Sequence, residues 1–335
     1  MSKRHVWMII LVLVIAGIWF VGCLQSRENG PGIQATVVQQ TIAALSAQFT
    51  ITAEVPLADT ATLQPSTTPR PTLTATPTEE VCTSVEGTIE LREIVIPETT
   101  RTLAFRVYLP PCYAERWNYD YPVLYLLHGQ SSTDDQWDRL GVDEAADQLI
   151  STGQAQPFLI VMPYEYYYLQ DPRESVYGDQ LVNNLIPWVD EEYDTCDMRE
   201  CRAIGGLSRG AGWAIHLGFT EWELFGSVGA HSLALFQGDF YSLPDRLNKI
   251  TDDAYPRVYM DDGSLDYMLE SAGNFERQLT RYHVPHEWVI NNGAHNEEYW
   301  AAHVEDYLIW YTSAWKTISA DSVLPTATQT VEEQP

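Results

Sequence analysis

Basic residues are scarce in this chain: 19 Lys and Arg stand against 46 Asp and Glu, for a formal net charge of −27. Such a surface repels polyphosphate backbones and anionic lipid surfaces, so nucleic acid is not an expected partner. Phosphate-cradling motifs are missing as well. There is no P-loop, and Gly205, Gly206 and Gly210 do not fall in the G-x-G-x-x-G order of a dinucleotide site. Cysteine is rare, with five residues, and none of them forms the paired C-x-x-C spacing of a zinc site. No cofactor and no metal are expected.

What is present begins with an apolar N-terminus. Lys3 and Arg4 precede an unbroken apolar run from Val6 to Gly22. The run is slightly short for a membrane span of about 20 residues and slightly long for a signal core of about 7–15. It ends at Cys23 behind Gly22, a small residue then cysteine as in a bacterial lipobox, although Phe20 stands where leucine is usual. A lipidated Cys23 and an uncleaved signal anchor both fit residues 1–23, and both send the remainder outward. The expected location is extracytoplasmic, tethered to the membrane or secreted. Residues 24–81 read as a tether: a short helix between Gln34 and Phe49, then a Thr/Pro-rich stretch from Pro56 to Glu80 that no core can absorb. The tail, residues 319–335, has the same character.

The other four cysteines are even in number, which in an exported chain favours two disulfides. Spacing pairs Cys82 with Cys112 around a two-stranded hairpin, and Cys196 with Cys201 around a short loop. Residues 82–318 read as one folded domain. Thr88–Val95 and Leu103–Leu109 alternate like strands exposed on one face. Pro122–Leu127, Phe158–Met162 and Val258–Met260 are short apolar runs, the signature of parallel strands buried on both faces, with helical segments such as 142–151 and 180–193 between them. Two leading antiparallel strands followed by β-α-β repeats predict an α/β three-layer sandwich with a mostly parallel sheet.

In such sheets ligands bind beyond the C-terminal strand ends. One strand end delivers Gly205-Gly206-Leu207-Ser208-Arg209-Gly210, between an apolar run and a helix-like run. Strand, tight glycine turn and helix make G-x-S-x-G a nucleophile elbow: the flanking glycines leave Ser208 uncrowded. The backbone N–H of Arg209 then faces a developing oxyanion from a helix N-terminus. The glycine loop His128-Gly129-Gln130 offers a second N–H, from Gln130, with His128 serving packing and hydrogen bonding. Tyr164–Tyr168 carries four tyrosines in five positions, and Tyr166, Tyr167 and Trp137 are expected to line a substrate cleft. Later strand ends deliver His231 and Ser232, then Asp261, Asp262 and Asp266, then His295. His283 and His286 precede the last strand, and His216 and His303 lie within helices. The order Ser208, an Asp within 261–266, His295 is that of an α/β-hydrolase triad.

These residues carry a resemblance. Tyr125–Gly129, Gly205–Gly210, Gly263–Asp266 and Gly293–Trp300 resemble the esterases of the enterochelin-esterase and S-formylglutathione-hydrolase type, relatives of feruloyl and acetylxylan esterases and of bacterial mycolyltransferases. The likeness covers about Thr88 to Trp315. It departs at Arg209, Ala211 and Gln130, where family members often carry methionine, glycine, and glycine or leucine. The resemblance implies Asp266 as the triad acid. A residue still in the strand would point into the flanking layers, whereas a turn at Gly263 brings Asp266 back toward His295. The expected activity is a serine esterase acting on small-molecule or carbohydrate-linked esters. Acyl transfer to a sugar or lipid, and a non-catalytic carbohydrate- or surface-binding module, are the alternatives.

Overall fold

A computed structural model describes residues 82–97, 101–115 and 119–315. The N-terminal segment with Cys23, the tether and the tail lie outside the described residues. Among the described residues no helix is long and apolar enough to cross a membrane.

Eight strands form one sheet: β1 (Thr88–Val95), β2 (Thr102–Leu109), β3 (Val123–Leu127), β4 (Leu159–Pro163), β5 (Arg202–Leu207), β6 (Ser227–His231), β7 (Arg257–Gly263) and β8 (His286–Asn291). Their order is β1-β2-β4-β3-β5-β6-β7-β8. The pairs β1–β2 and β2–β4 are antiparallel and every other pair is parallel. Burial explains the difference in sequence texture. Strands β3, β4, β5 and β6 are buried at every position, so each reads as an apolar or small-residue run, interrupted by Arg202 at the start of β5 and His231 at the end of β6. The edge strands β1 and β8 are mostly exposed or half-buried and mix polar residues into every turn of the pleat.

Helices cover both faces. Val123, Tyr125 and Leu127 point to a core shared with α2 (Ile186–Glu192), α3 (Arg209–Thr220), α4 (Gln237–Leu247) and α5 (Leu269–Arg281). Leu124 and Leu126 point to the opposite core, closed by α1 (Val142–Ser151) and α6 (Glu297–Ser313). Each fully buried aliphatic or aromatic side chain in these layers contributes roughly 1.5–3 kcal/mol. The expected 180–193 helix is present in pieces: Leu181–Leu185 forms a wider π turn just ahead of α2. Pro187 in the first turn of α2 has no N–H to return to a preceding carbonyl, and the helix widens there.

Among the described residues two disulfides are present, Cys82–Cys112 and Cys196–Cys201. The first closes a loop containing the whole β1–β2 hairpin. The second fastens the loop that enters β5, the strand leading to Ser208.

Candidate active site

Ser208 sits between β5 and α3 with φ 53° and ψ −115°. This left-handed backbone is costly for serine, and the surroundings hold it there. Its N–H donates to His231 O at 2.9 Å, and its own carbonyl accepts from Gly212 and Ala234. The flanking glycines are needed for space. A Cβ on Gly206 would strike the backbone of Gly210, and a Cβ on Gly210 would strike the Leu127 carbonyl. The elbow is so tightly wound against β3 that no side chain fits at either position.

The Ser208 hydroxyl lies 2.9 Å from His295 Nε2. On the other edge of the ring, His295 Nδ1 lies 2.9 Å and 3.0 Å from the two Asp266 carboxylate oxygens. Asp266 also accepts from the Met268 N–H at 2.7 Å. Burial would push the Asp266 carboxyl up, but the hydrogen bonds from His295 and from the Met268 N–H outweigh it and hold it below its ordinary value. His295 is presented by the loop between β8 and α6. Asn296 ends that loop as the helix N-cap, its side chain accepting from Tyr299 N–H at 3.0 Å.

With the Asp266 side chain buried behind the imidazole, Ser208 and His295 open onto a cleft of about 660 Å³. Its floor includes Gln130, Ser131 and Ser208, and its walls include Tyr267, Met268 and Trp300. Across one end runs a polar strap. Gln136 accepts from the Gly129 N–H through Oε1 and donates to Glu297 through Nε2. Arg139 Nη1 pairs with Glu297 at 3.1 Å, holding the loop after β3 against the start of α6. That arginine holds the Glu297 carboxyl below its ordinary value. The described residues contain no cluster of three or more His, Cys, Asp or Glu that could hold a metal ion.

A serine, a histidine and an aspartate in one hydrogen-bonded line beyond a parallel sheet form an arrangement that can carry acyl transfer. Residues 96–311 match the model of the esterase family described as "Putative esterase". The chain belongs to this esterase family. A segment of 116 residues is 30% identical to an endo-1,4-beta-xylanase/feruloyl esterase of Xylanibacter ruminicola, covering 32% of this chain and 16% of that protein. The chain thus spans only a small part of that curated relative. Among solved structures, a ferulic acid esterase superposes with a TM-score of 0.62 at 24% identity, covering 68% of this chain and 98% of that one. An S-formylglutathione hydrolase of Staphylococcus aureus superposes with a TM-score of 0.59 at 17% identity, covering 68% and 99%. These two likenesses show the α/β-hydrolase fold.

Not every residue expected at the cleft is there. Trp137 is 1% exposed and donates from Nε1 to Leu127 O at 3.0 Å, so it is a core residue rather than a cleft residue. Tyr166 is 37% exposed, stacks near Tyr164 and has Arg101 over its ring, away from the cleft lining. Tyr167 packs against the core on the α2–α5 face, also outside the lining. The aromatic surface beside His295 comes instead from Tyr267, 72% exposed with its ring 4.5 Å from the imidazole, and from Trp300 at 5.1 Å. Their signal in the sequence was adjacency: Tyr267 directly follows Asp266, and Trp300 lies five residues after His295.

His128 serves structure. Its Nε2 accepts the Glu165 N–H at 2.8 Å, so the ring proton must sit on Nδ1, which then donates to Gly129 O at 2.7 Å. Burial lowers its basicity and keeps it neutral. Arg209 has a side-chain role that its backbone position did not reveal. Its guanidinium grips buried Glu165 in a two-pronged pair at 2.7 and 2.8 Å, and also donates to Gln170 O. Trp213 Nε1 donates to the same carboxylate at 2.9 Å. The tyrosine loop is thereby fastened to the first turns of α3. His231 turns away from the cleft: it pairs with Asp261 at 2.7 Å and stacks on Tyr307, while Tyr299 and Tyr307 donate to the same Asp261 carboxylate. Burial, with Asp261 beside them, pushes these two tyrosine hydroxyls up and keeps them protonated donors.

Proposed function

We propose that this chain is an extracytoplasmic serine esterase that hydrolyses carboxylic esters, among them acyl groups carried on carbohydrate. The observation that carries this reading is the unbroken line from Ser208 Oγ through His295 to Asp266 at the floor of an open cleft. The family and the names of the similar proteins support the ester and carbohydrate parts. The two disulfides support a location outside the cytoplasm.

In this mechanism His295 Nε2 takes the proton of Ser208 as Oγ attacks the ester carbonyl. Asp266 fixes the ring with its proton on Nδ1 and stabilises the imidazolium that forms. The carbonyl oxygen becomes an oxyanion beside the start of α3, where the Arg209 N–H and the Gln130 N–H receive it. Each such donor lowers the barrier by about 3 kcal/mol. His295 then protonates the departing alcohol, which leaves an acyl-serine. Water, deprotonated by the same nitrogen, releases the acid. The open, polar mouth beside Tyr267 leaves room for a sugar-sized alcohol group.

A fluorophosphonate probe should label Ser208 in the intact protein. Ser208→Ala should abolish both labelling and hydrolysis of aryl, acetyl-sugar and feruloyl-sugar esters, with thermal unfolding nearly unchanged. Turnover above trace levels in that variant would refute the serine mechanism.

A further inference from the structure

Glu165 lies just past β4, 2% exposed, and no step of the mechanism above uses it. Its hydrogen bonds run in two directions. The carboxylate takes three donors: Arg209 Nε at 2.8 Å, Arg209 Nη2 at 2.7 Å and Trp213 Nε1 at 2.9 Å. All three come from the first two turns of α3, directly after Ser208. The Glu165 N–H donates to His128 Nε2 at 2.8 Å, which leaves the ring proton on Nδ1, donated to Gly129 O at 2.7 Å. That carbonyl belongs to the same peptide unit as the Gln130 N–H. In a planar trans peptide the two bonds point opposite ways, so drawing the oxygen toward His128 aims the N–H to the other side. The peptide stands beside the nucleophile: a Cβ added to Gly129 would lie 3.6 Å from the Ser208 Cβ.

We propose that Glu165 is a positioning residue that fixes both oxyanion donors at once, the Gln130 N–H through His128 and the Arg209 N–H through the Arg209 side chain. The proposal rests on the oxyanion roles given to those two N–H groups above. The donors sit on separate elements, the loop after β3 and the start of α3. Two donors stabilise one oxygen only if their separation and direction are set before the charge develops. Glu165 is the residue through which the two elements are joined, by its N–H on one side and its carboxylate on the other. Burial makes the joint stiff, because charge-assisted bonds shielded from water are strong and have no solvent to exchange with. The Arg209 and Trp213 bonds anchor Glu165 to α3, and the His128 link carries that anchorage to the second donor.

Three variants of the full-length protein test this: Glu165→Gln, which keeps the shape, Arg209→Met, which keeps the backbone donor, and the double variant, which leaves no buried charge unpaired. Their kcat is expressed per site titrated with a fluorophosphonate, so misfolded material does not count. Each should lose roughly 10- to 100-fold in kcat on an aryl ester, the scale of a small displacement at a reacting centre, with KM nearly unchanged. An aryl trifluoromethyl ketone reads the oxyanion site directly. Ser208 Oγ adds to its carbonyl carbon, the serine proton passes to His295, and the carbonyl oxygen becomes the anion that the donors hold. Its inhibition constant should rise by a factor similar to the fall in kcat. The pH midpoint of kcat/KM, which reports His295, should stay at its wild-type value. Unchanged per-site kcat and ketone binding in the double variant would overturn the proposal. So would a loss accompanied by a moved pH midpoint, which would assign the damage to the triad. Ser208→Ala, run alongside, separates the two readings. If it retains turnover, or binds the ketone as well as the wild type does, the serine mechanism itself fails. If it is inactive while the other variants match the wild type, only the positioning role fails.

Discussion

Asp262 should make this protein lose stability as pH rises through the neutral range. Its side chain is 0% exposed at the end of β7, and neither carboxyl oxygen has a hydrogen-bond partner of normal geometry. Burial, then the charges of Asp266 and Asp261, push its carboxyl from 3.8 up to about 8, opposed only by the Leu233 N–H. The folded state therefore holds a proton that the unfolded chain releases near pH 4. Where the unfolded state binds fewer protons, stability falls as pH rises. The decline should begin near pH 4, run at about 1.4 kcal/mol per pH unit, and level off above about pH 8. Across the full window it amounts to on the order of 5 kcal/mol, comparable to the whole stability of many domains. Asp262→Asn keeps the shape and removes the proton, so its stability should lack this slope. The assay is denaturant unfolding of both proteins at intervals from pH 4.5 to 9, with the difference plotted against pH. The variant should gain steadily on the wild type up to about pH 8. Parallel curves would show that Asp262 ionises at its ordinary pH and that the reasoning from burial is wrong.

Asp266→Asn should lower kcat by roughly 10³–10⁴, the scale for a neutralised triad acid, while leaving KM for an aryl ester nearly unchanged; a smaller effect than from Asp262→Asn would reassign the acid. Asp261→Asn should instead destabilise by about 3 kcal/mol or more, measured by denaturant unfolding, because it breaks the buried carboxylate from His231 and two tyrosines. In a double-mutant cycle, Arg209→Met and Glu165→Gln should each destabilise, and together cost less than their sum by about 2 kcal/mol; strict additivity would mean that the pair does not act as one unit.

The sequence made the parallel strands and the elbow legible for the same reason: both are local constraints. A strand buried on two faces must be apolar throughout, as in Val123–Leu127, and an elbow wound against β3 must have glycine at 206 and 210. The line of strand ends then placed Ser208, an aspartate within 261–266 and His295 in one region, and the family resemblance singled out Asp266. What stayed hidden depended on packing across distant elements. A tryptophan 10 residues past a strand reads alike whether it faces the cleft or, as Trp137 does, the core under α1 and α6. Gly263 was expected to make a sharp turn. Its backbone is not left-handed, and a Cβ there would strike the Gly293 backbone, so glycine is needed for close approach between β7 and the histidine loop. Asp261 stood in the sequence only as one of three candidate acids, yet its partners lie on β6 and α6, 30 to 46 residues away. The unpartnered burial of Asp262 has no local signature at all.

The Cys82–Cys112 bond has a mechanical consequence. An antiparallel edge strand pulled from one end peels away bond by bond, the weakest way to load a sheet, and β1 is such a strand. Tension arriving along the chain ahead of Cys82 would, without the bridge, enter β1 at Thr88 and unzip it from β2. With the bridge, the load passes through sulfur to Cys112, beyond the end of β2, and the whole hairpin lies slack inside the closed loop. From Cys112 the chain runs on through residues 113–122 into β3, in the interior of the sheet, where strands are gripped from both sides. A pull on the leading segment is therefore borne by the strands nearest the elbow, which resist it by shear, and reduction of this one bond should lower the force needed to open the fold.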